Sequence, residues 1–240
     1  MMSPILCAVS FCVLKSLPGD MEWIRSEIHF NHGKNVCTTF PLVHFDSAES
    51  PIVPGNLIEF PELDSCKDLL GCVLWLDAVN LFLPLLCNNL PRRDRILCLG
   101  EGTGAVGCGL AAAGLGHSEI YISDLPVLLP LLKLNASLNE KVHAIALDWT
   151  SCLESHLVGT FDAVVACEVL YGNRSVWGDL LKTIKNALSP KSPVYICVTL
   201  RNARNDLQDF MTLLLQSSEF INVVEIPLSE SVSVIRATLG

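Results

Sequence analysis

The sequence has few basic residues and lacks any dense basic segment. Its 240 residues contain 16 Lys and Arg against 25 Asp and Glu, which gives a net charge of −9. The longest basic cluster consists of Arg92, Arg93 and Arg95. Nucleic-acid backbones are bound by clustered positive charge, so we expect no nucleic-acid partner. Basic protein segments or cationic small molecules fit this negative field better.

A membrane-spanning segment is also missing near the amino terminus. The apolar stretch from Ile5 to Leu14 is shorter than the roughly 20 apolar residues that a spanning helix needs. It lacks the basic start of a signal peptide as well. We interpret this stretch as an edge strand, and we expect the protein to have no membrane association.

Paired metal ligands are scarce, although cysteine is abundant. There are 11 cysteines, an odd number with no CxxC pair, and several lie inside apolar runs, which is typical of buried, reduced thiols and of a cytoplasmic protein. Of the six histidines, only His29 and His32 are close in sequence. We therefore predict no metal site. The thiols in apolar runs are Cys98, Cys108, Cys167 and Cys197.

From residue 95 onward, apolar runs of strand length alternate with amphipathic segments of helix length. This alternation predicts an α/β fold with a Rossmann-like, mostly parallel sheet of seven strands and helices on both faces. The last two strands, "FINVVEIP" and "VSVIRATL", are joined by the short turn "LSES". We expect them to pair antiparallel.

The residues before this block predict a different organisation. Residues 1–70 contain extended pieces such as "NVCTTFPLVHF" and are interpreted as a β-hairpin extension packed on the core, with residues 50–56 as a loop. Residues 71–240 form the main domain. The apolar segment at residues 72–90 predicts a helix that is kinked or broken near Pro84.

A glycine-rich loop follows the first strand of the main domain. Its text "LGEGTGAVG" satisfies GxGxxG, and Asp124 lies about 20 residues further on, as in nicotinamide dinucleotide enzymes. Gly100, Gly102 and Gly104 also give GxGxG, the arrangement that admits the methionine part of S-adenosylmethionine. A loop of this kind serves any adenosine cofactor that approaches the backbone closely.

Residues after the third and fourth strands favour S-adenosylmethionine over a nicotinamide dinucleotide. Asp148 and Trp149 follow the third strand, where a carboxylate can accept a hydrogen bond from an adenine amino group and an indole can cover the ring. The fourth strand ends in "ACEVLY", which places Glu168 and Tyr171 at the carboxyl edge of the sheet, where open α/β folds bind ligands.

From Gly71 to the end, the sequence resembles the seven-strand protein-lysine methyltransferases of methyltransferase-like family 16. These enzymes carry a (D/E)xx(Y/F) motif after the fourth strand, supplied here by Glu168 and Tyr171. The motifs "ISDLP", "LDW" and "GCVLW" extend the resemblance. One position departs from the family, because Cys98 stands where an acid is usual.

The resemblance implies S-adenosylmethionine as cofactor and a soluble cytosolic protein, such as a translation factor or chaperone, as substrate. We expect the enzyme to be a monomer. Trp75 would wall the cofactor pocket from a helix, and Cys167 would contact the cofactor. The implied cofactor-binding set is Trp75, Gly100, Glu101, Gly102, Gly104, Asp124, Asp148, Trp149 and Cys167.

Glu168 and Tyr171 are the predicted catalytic residues. We expect Glu168 to orient the incoming ammonium, either as a base or only as a positioning group, and Tyr171 to pack along the methyl path. The resemblance also gives Arg201 and Arg204 as an arginine-bearing segment. A small-molecule or N-terminal methyltransferase, a nicotinamide dehydrogenase and a non-enzymatic binding module remain alternatives at this point.

Overall fold

The computed structural model describes residues 10–13, 23–32, 36–45, 70–76, 78–90, 95–114, 119–170, 174–200 and 204–240. The predicted loop at residues 50–56 lies outside this part of the chain. No helix within the described ranges is long and apolar enough to span a membrane.

A small antiparallel sheet comes first in the chain. Its strands are β1 (Ser10–Val13), β2 (Trp23–Asn31) and β3 (Cys37–Phe45), in the order β1-β2-β3. β2 and β3 form the predicted hairpin, with Trp23 opposite Phe45 and Asn31 opposite Cys37. β1 lies at the edge, within the stretch predicted to be an edge strand.

The central sheet has seven strands. They are β4 (Arg95–Leu99), β5 (Glu119–Asp124), β6 (Val142–Ala146), β7 (Ala163–Cys167), β8 (Pro193–Thr199), β9 (Phe220–Pro227) and β10 (Val232–Leu239). Their order is β6-β5-β4-β7-β8-β10-β9. The first five are parallel, and β10 pairs antiparallel with both β8 and β9. The predicted fold class is confirmed.

Alternation along the strands assigns the helices to opposite faces of this sheet. Ile96 and Cys98 of β4 pack in one apolar core, and Leu97 and Leu99 pack in another. The first core also contains residues of α1 (Leu83–Asn89), α2 (Ala105–Ala112) and α3 (Leu129–Ser137). The second contains residues of α4 (Trp177–Ala187) and α5 (Arg204–Gln216).

Asn135 of α3 attaches the small sheet to the main domain. Its side chain is fully buried. Oδ1 accepts from the Val43 amide at 2.7 Å, and Nδ2 donates to the Val43 carbonyl at 2.7 Å and to the Thr103 carbonyl at 2.8 Å. A buried amide with these partners is fully engaged. It ties β3 to the loop after β4.

The helix predicted at residues 72–90 is shorter than expected. Residues Leu70–Cys72 form a 3₁₀ turn, Leu74 and Trp75 are not helical, and a π-helical segment, Ala78–Phe82, leads into α1. The change of helix type comes just before Pro84, consistent with the predicted break because proline removes a backbone donor. The helix prediction over residues 72–75 was wrong, and Gly71 there packs against the loop after β4.

The described cysteines are free thiols, as predicted. Cys98, Cys108 and Cys197 are buried, and Cys167 is half-buried. His29 and His32 hydrogen-bond to Thr39 and Thr38 respectively. Each imidazole therefore has a partner across the hairpin.

Candidate cofactor and substrate site

A cavity of about 630 Å³ opens at the carboxyl edge of the parallel strands. Four strands deliver its lining, because parallel strands end at the same edge of a sheet. Eight of the nine predicted cofactor residues line it, together with Glu168. The lining residues used below are Gly71, Trp75, Gly100, Glu101, Gly102, Asp124, Leu125, Val127, Leu128, Asp148, Trp149, Thr150, Cys167, Glu168 and Val169.

The glycine loop needs its glycines for two physical reasons. Gly100, Gly102 and Gly104 have φ values of +62°, +57° and +81°, a region that disfavours side chains. Space is also missing, because a Cβ at Gly102 would lie 2.3 Å from the Gly71 carbonyl oxygen, and one at Gly100 would lie 2.7 Å from Val169. The loop is therefore packed against its neighbours on the protein side.

Gly104 is the predicted cofactor residue that does not line the cavity. It caps the start of α2, and a Cβ there would meet Ile122 at 2.8 Å and Leu132 at 3.4 Å. The structure places Gly104 towards the core, where it shapes the turn.

Asp124 closes the end of β5 next to the glycine loop. Its Oδ2 accepts from the Gly102 amide at 2.8 Å, and its Oδ1 accepts from the Leu125 amide at 2.7 Å. Burial raises the pKa of this carboxyl, and the two amides oppose that effect. Each oxygen keeps a second lone pair, so the group can still accept from ribose hydroxyls.

Glu101 lines the cavity but is only 9% exposed. Oε2 accepts from the Gly107 amide at 3.0 Å, whereas Oε1 is buried and accepts no hydrogen bond from the described residues. Burial raises the Glu101 pKa to about 7, the Gly107 and Val106 amides lower it, and Asp124 raises it. The sequence predicted this residue for the site but gave no reason to expect an acid that titrates near neutrality.

Asp148 and Trp149 follow β6 as predicted. Asp148 Oδ1 accepts from the Thr150 amide at 2.9 Å and from its hydroxyl at 2.8 Å, and both bonds lower the Asp148 pKa. The carboxylate therefore stays ionised. A Cβ at Gly100 would be 3.3 Å from the Trp149 ring, so the indole lies beside the glycine loop.

Trp75 lines the cavity from a non-helical segment and not from a helix, which corrects the predicted location. The physical reason is the approach of this segment to the glycine loop. Gly71 lies with its carbonyl against Gly102, and after the 3₁₀ turn that holds Gly71 the chain is not helical over residues 73–75.

Glu168 lines the same cavity, directly after β7, in a strained conformation. Its φ is +58°, which costs about 1 kcal/mol or more for a residue with a side chain. Its amide donates to the Cys197 carbonyl at 2.9 Å. Oε1 accepts from the Thr199 amide at 2.6 Å and from the Thr199 hydroxyl at 2.7 Å. Non-glycine strain of this kind is typical of functional positions.

Thr199 was not predicted from the sequence, although it ends β8 beside β7 and could have been found from that register. Tyr171, the second predicted catalytic residue, lies outside the described residues, as does Arg201. Arg204 begins α5, and its side chain is also outside the description.

Cys167 and Cys197 face each other in register on β7 and β8. Their thiols and a Glu168 carboxylate oxygen lie within 4.8 Å of one another. The hydrogen bond to Cys197, burial and nearby charge raise the Cys167 pKa well above its usual value. The thiol at the cavity wall is therefore protonated at neutral pH.

Apolar residues after β5 complete the cavity and were missed in the sequence. Leu125 and Val127 are 48% and 38% exposed, and both line the cavity with Leu128. Large exposed apolar groups at a concave site indicate a surface that a ligand covers. Their position directly after Asp124, at a strand end, was the available signal.

Comparison with known proteins identifies the family. Residues 64–217 match the family model described as lysine methyltransferase. The mouse protein N-lysine methyltransferase METTL21A is 34% identical over 151 residues, covering 60% of this chain and 66% of that protein. The protein-lysine N-methyltransferase EFM2 of Saccharomyces cerevisiae is 30% identical over 162 residues, covering 62% of this chain and 38% of that protein.

A solved structure supports the fold independently. Human N-acetylserotonin methyltransferase in complex with SAM has a TM-score of 0.54 at 19% identity, covering 69% of this chain and 53% of that one. The matched part of the chain spans less than two thirds of the length of the two curated relatives. The family prediction is confirmed: the chain belongs to the lysine methyltransferase family, whose model covers strands β4 to β8 of its central sheet.

Proposed function

We propose that this protein transfers a methyl group from S-adenosylmethionine to a lysine side chain of a protein. The main observation behind the proposal is that the glycine loop, Asp124 and Glu168 all line one cavity. An adenosine site and a carboxylate that can receive an ammonium thus share one space. The family membership supports the same reaction.

The lining residues fit the proposed cofactor. Asp124 is placed to accept from ribose hydroxyls, Trp149 and Leu125 offer apolar faces for the adenine, and Gly100 to Gly102 leave room for the amino-acid part. Trp75 and Cys167 close the walls. When bound, S-adenosylmethionine supplies an electrophilic methyl carbon. The protein then mainly needs to align an amine with that carbon.

Glu168 is proposed to capture and orient the lysine ammonium. Thr199 fixes one of its oxygens, which holds the carboxylate at a defined place at the cavity edge. A lysine with a pKa near 10.4 is neutral in only about one molecule in a few thousand at pH 7. Desolvation in the cavity lowers that pKa. The ammonium proton passes to water, the nitrogen–carbon bond forms, the sulfur–carbon bond breaks, and S-adenosylhomocysteine leaves.

The substrate is proposed to be a cytosolic protein, either a translation factor or a chaperone, and the enzyme is proposed to act as a monomer in the cytoplasm. The net charge of −9 favours a basic segment as acceptor, because opposite charge steers encounter. Two relatives are named as protein-lysine methyltransferases. These names support a lysine in a protein as the acceptor.

The test is incubation of the purified protein with isotopically labelled S-adenosylmethionine and a cell lysate, followed by mass spectrometry of the labelled band. We expect methyllysine in a protein. Label in metabolites or in amino-terminal amines would contradict the proposal and favour the corresponding methyltransferase. Thermal stabilisation by NADH but not by S-adenosylhomocysteine would favour a dehydrogenase, since a ligand of the native state raises Tm.

A further inference from the structure

Glu101 lines the cavity and has one buried carboxylate oxygen without a partner among the described residues. The residue is 9% exposed, and its Oε2 accepts from the Gly107 amide. Oε1 accepts no hydrogen bond from the described residues. A buried acceptor without a partner is costly, and native proteins rarely retain one without a reason. A donor that arrives with the ligand would remove this cost.

Among the described residues, the cavity around Glu101 offers no positive charge. None of the described residues that line the cavity is basic. The groups that face Glu101 are Asp124 from β5 and thiols from three other elements, and Glu101 raises the pKa of each thiol. The thiols are Cys98 of β4, Cys108 of α2 and Cys167 of β7. The buried carboxyl of Glu101 therefore has no cationic partner among the described residues that line the cavity.

The amino-acid part of the proposed cofactor carries a cation of the right kind. Its α-ammonium has three donors, and a charge-assisted bond to a buried carboxylate is strong. We infer that Glu101 receives this ammonium as a carboxylate, so that cofactor binding requires the loss of one proton from Glu101. This inference rests on the proposed function only in taking S-adenosylmethionine as the ligand.

The position of Cys98 explains how Glu101 can serve this purpose. A Cβ at Gly107 would lie 3.4 Å from the Cys98 sulfur, and the Gly107 amide binds the Glu101 carboxylate. The two side chains therefore share one region beneath the loop. A small residue at position 98 leaves this region to an acid that comes from the loop instead of from the strand.

The first test uses two ligands that differ only in the amino-acid part. S-adenosylhomocysteine has it, whereas 5′-methylthioadenosine has a methyl group in its place. Isothermal titration of the unaltered protein at pH 6 and pH 8 should show S-adenosylhomocysteine binding about 10-fold more tightly at pH 8, since Glu101 titrates near pH 7. Methylthioadenosine should change by less than about twofold, so Asp124 cannot account for the difference.

The proton itself can be counted. At pH 7, titrations in buffers of different ionisation enthalpy should show release of about half a proton for each S-adenosylhomocysteine bound. Methylthioadenosine should release almost none. This measurement needs no variant and does not depend on the folding of one.

Variants then assign the effect to the residue. Glu101→Gln should weaken S-adenosylhomocysteine binding at pH 8 by about 30-fold, abolish its pH dependence and leave methylthioadenosine binding unchanged. The double variant Cys98→Glu with Glu101→Ala returns a carboxylate to the same region and should restore much of the loss. Glu154→Gln is the matched control, because that side chain is 76% exposed and outside the cavity.

Each outcome is decisive. Equal pH dependence for both ligands, or an unchanged ratio of the two affinities in Glu101→Gln, overturns the inference while the proposed function stands. If the unaltered protein binds neither ligand, the proposed cofactor site fails and the inference fails with it.

Discussion

Two glutamates line the same cavity and are held in opposite ways. Glu101, from the glycine loop, is buried, and its Oε1 accepts no hydrogen bond from the described residues. Glu168, from the end of β7, has a strained backbone and an oxygen that accepts two hydrogen bonds from Thr199. The same kind of side chain therefore has a charge that varies with pH at one position and a fixed place at the other.

This difference indicates a division of tasks. A ligand that brings its own cation can stabilise an acid that is half protonated at neutral pH. A substrate that must be aligned for attack needs a carboxylate whose place does not change. Variants at the two positions should accordingly affect different measurements, with cofactor binding sensitive to the glycine loop and turnover sensitive to Glu168.

The largest expected effect comes from Gly102→Val, which disrupts the packing of the glycine loop. The new Cβ would lie 2.3 Å from the Gly71 carbonyl oxygen at a φ of +57°, so we expect a loss of about 3 kcal/mol or more. Tm should fall by roughly 10 °C, and S-adenosylhomocysteine binding should be lost. Gly114→Ala is the control, since Gly114 has φ of +60° but nothing within 4 Å, and it should cost about 1 kcal/mol. Equal losses for the two variants would contradict the close-packing argument.

Glu168→Gln should separate the effect of Glu168 on turnover from the effect of the glycine loop on cofactor binding. The amide oxygen of Gln can still accept from Thr199, so the fold should be retained, whereas the charge that receives the ammonium is gone. We expect kcat to fall about 100-fold and the Kd for S-adenosylhomocysteine to stay within about threefold. Steady-state kinetics and calorimetry measure the two effects. A loss of binding equal to the loss of kcat would place Glu168 in the cofactor site.

A smaller effect is expected from Thr199→Val. This change removes the 2.7 Å hydroxyl bond to Glu168 and keeps the amide bond at 2.6 Å. We expect kcat to fall about 10-fold with KM for the protein substrate rising less. Thr199→Ser retains the hydroxyl and should recover most of the activity. If Ser behaves like Val, the hydroxyl is not what positions Glu168.

Glu101 should also affect the stability of the ligand-free protein. The Glu101 pKa is raised from 4.5 to about 7 in the folded state. The folded state therefore binds this proton more tightly than the unfolded state does. The resulting stabilisation of the folded state is complete below pH 4.5 and is lost as the pH rises through about 7. Glu101→Gln removes this pH-dependent loss and should raise stability at pH 8 by about 1–3 kcal/mol. Thermal denaturation at pH 5 and pH 8 tests the sign. A variant less stable at pH 8 than the unaltered protein would contradict it.

Sequence reasoning located the strands and most of the site because strand ends and glycine spacing are local signals. The text from Arg95 to Leu239 alternates between strand and helix periods, and the seven strands lie where the runs predicted them. Asp124, Asp148 and Glu168 each follow a strand directly. Parallel strands bring such residues to one edge, so their proximity follows from the order of elements.

Contacts between distant segments could not be predicted in this way. If the loop faced solvent, a β-branched residue at Gly102 would block the cofactor without unfolding the protein. The structure shows Gly102 buried against Gly71, 31 positions earlier in the printed sequence. The non-helical segment at Trp75 has the same origin. No local sequence pattern indicates which distant backbone segment a loop contacts.

The attachment of the hairpin by Asn135 has a consequence for how this protein can change over evolutionary time. Asn135 recognises the main-chain groups of Val43 and not its side chain. Substitutions of side chains along the hairpin therefore leave these hydrogen bonds intact as long as the backbone of β3 keeps its position. The outward hairpin surface is therefore free to diversify between lineages while the neighbouring glycine loop remains undisturbed.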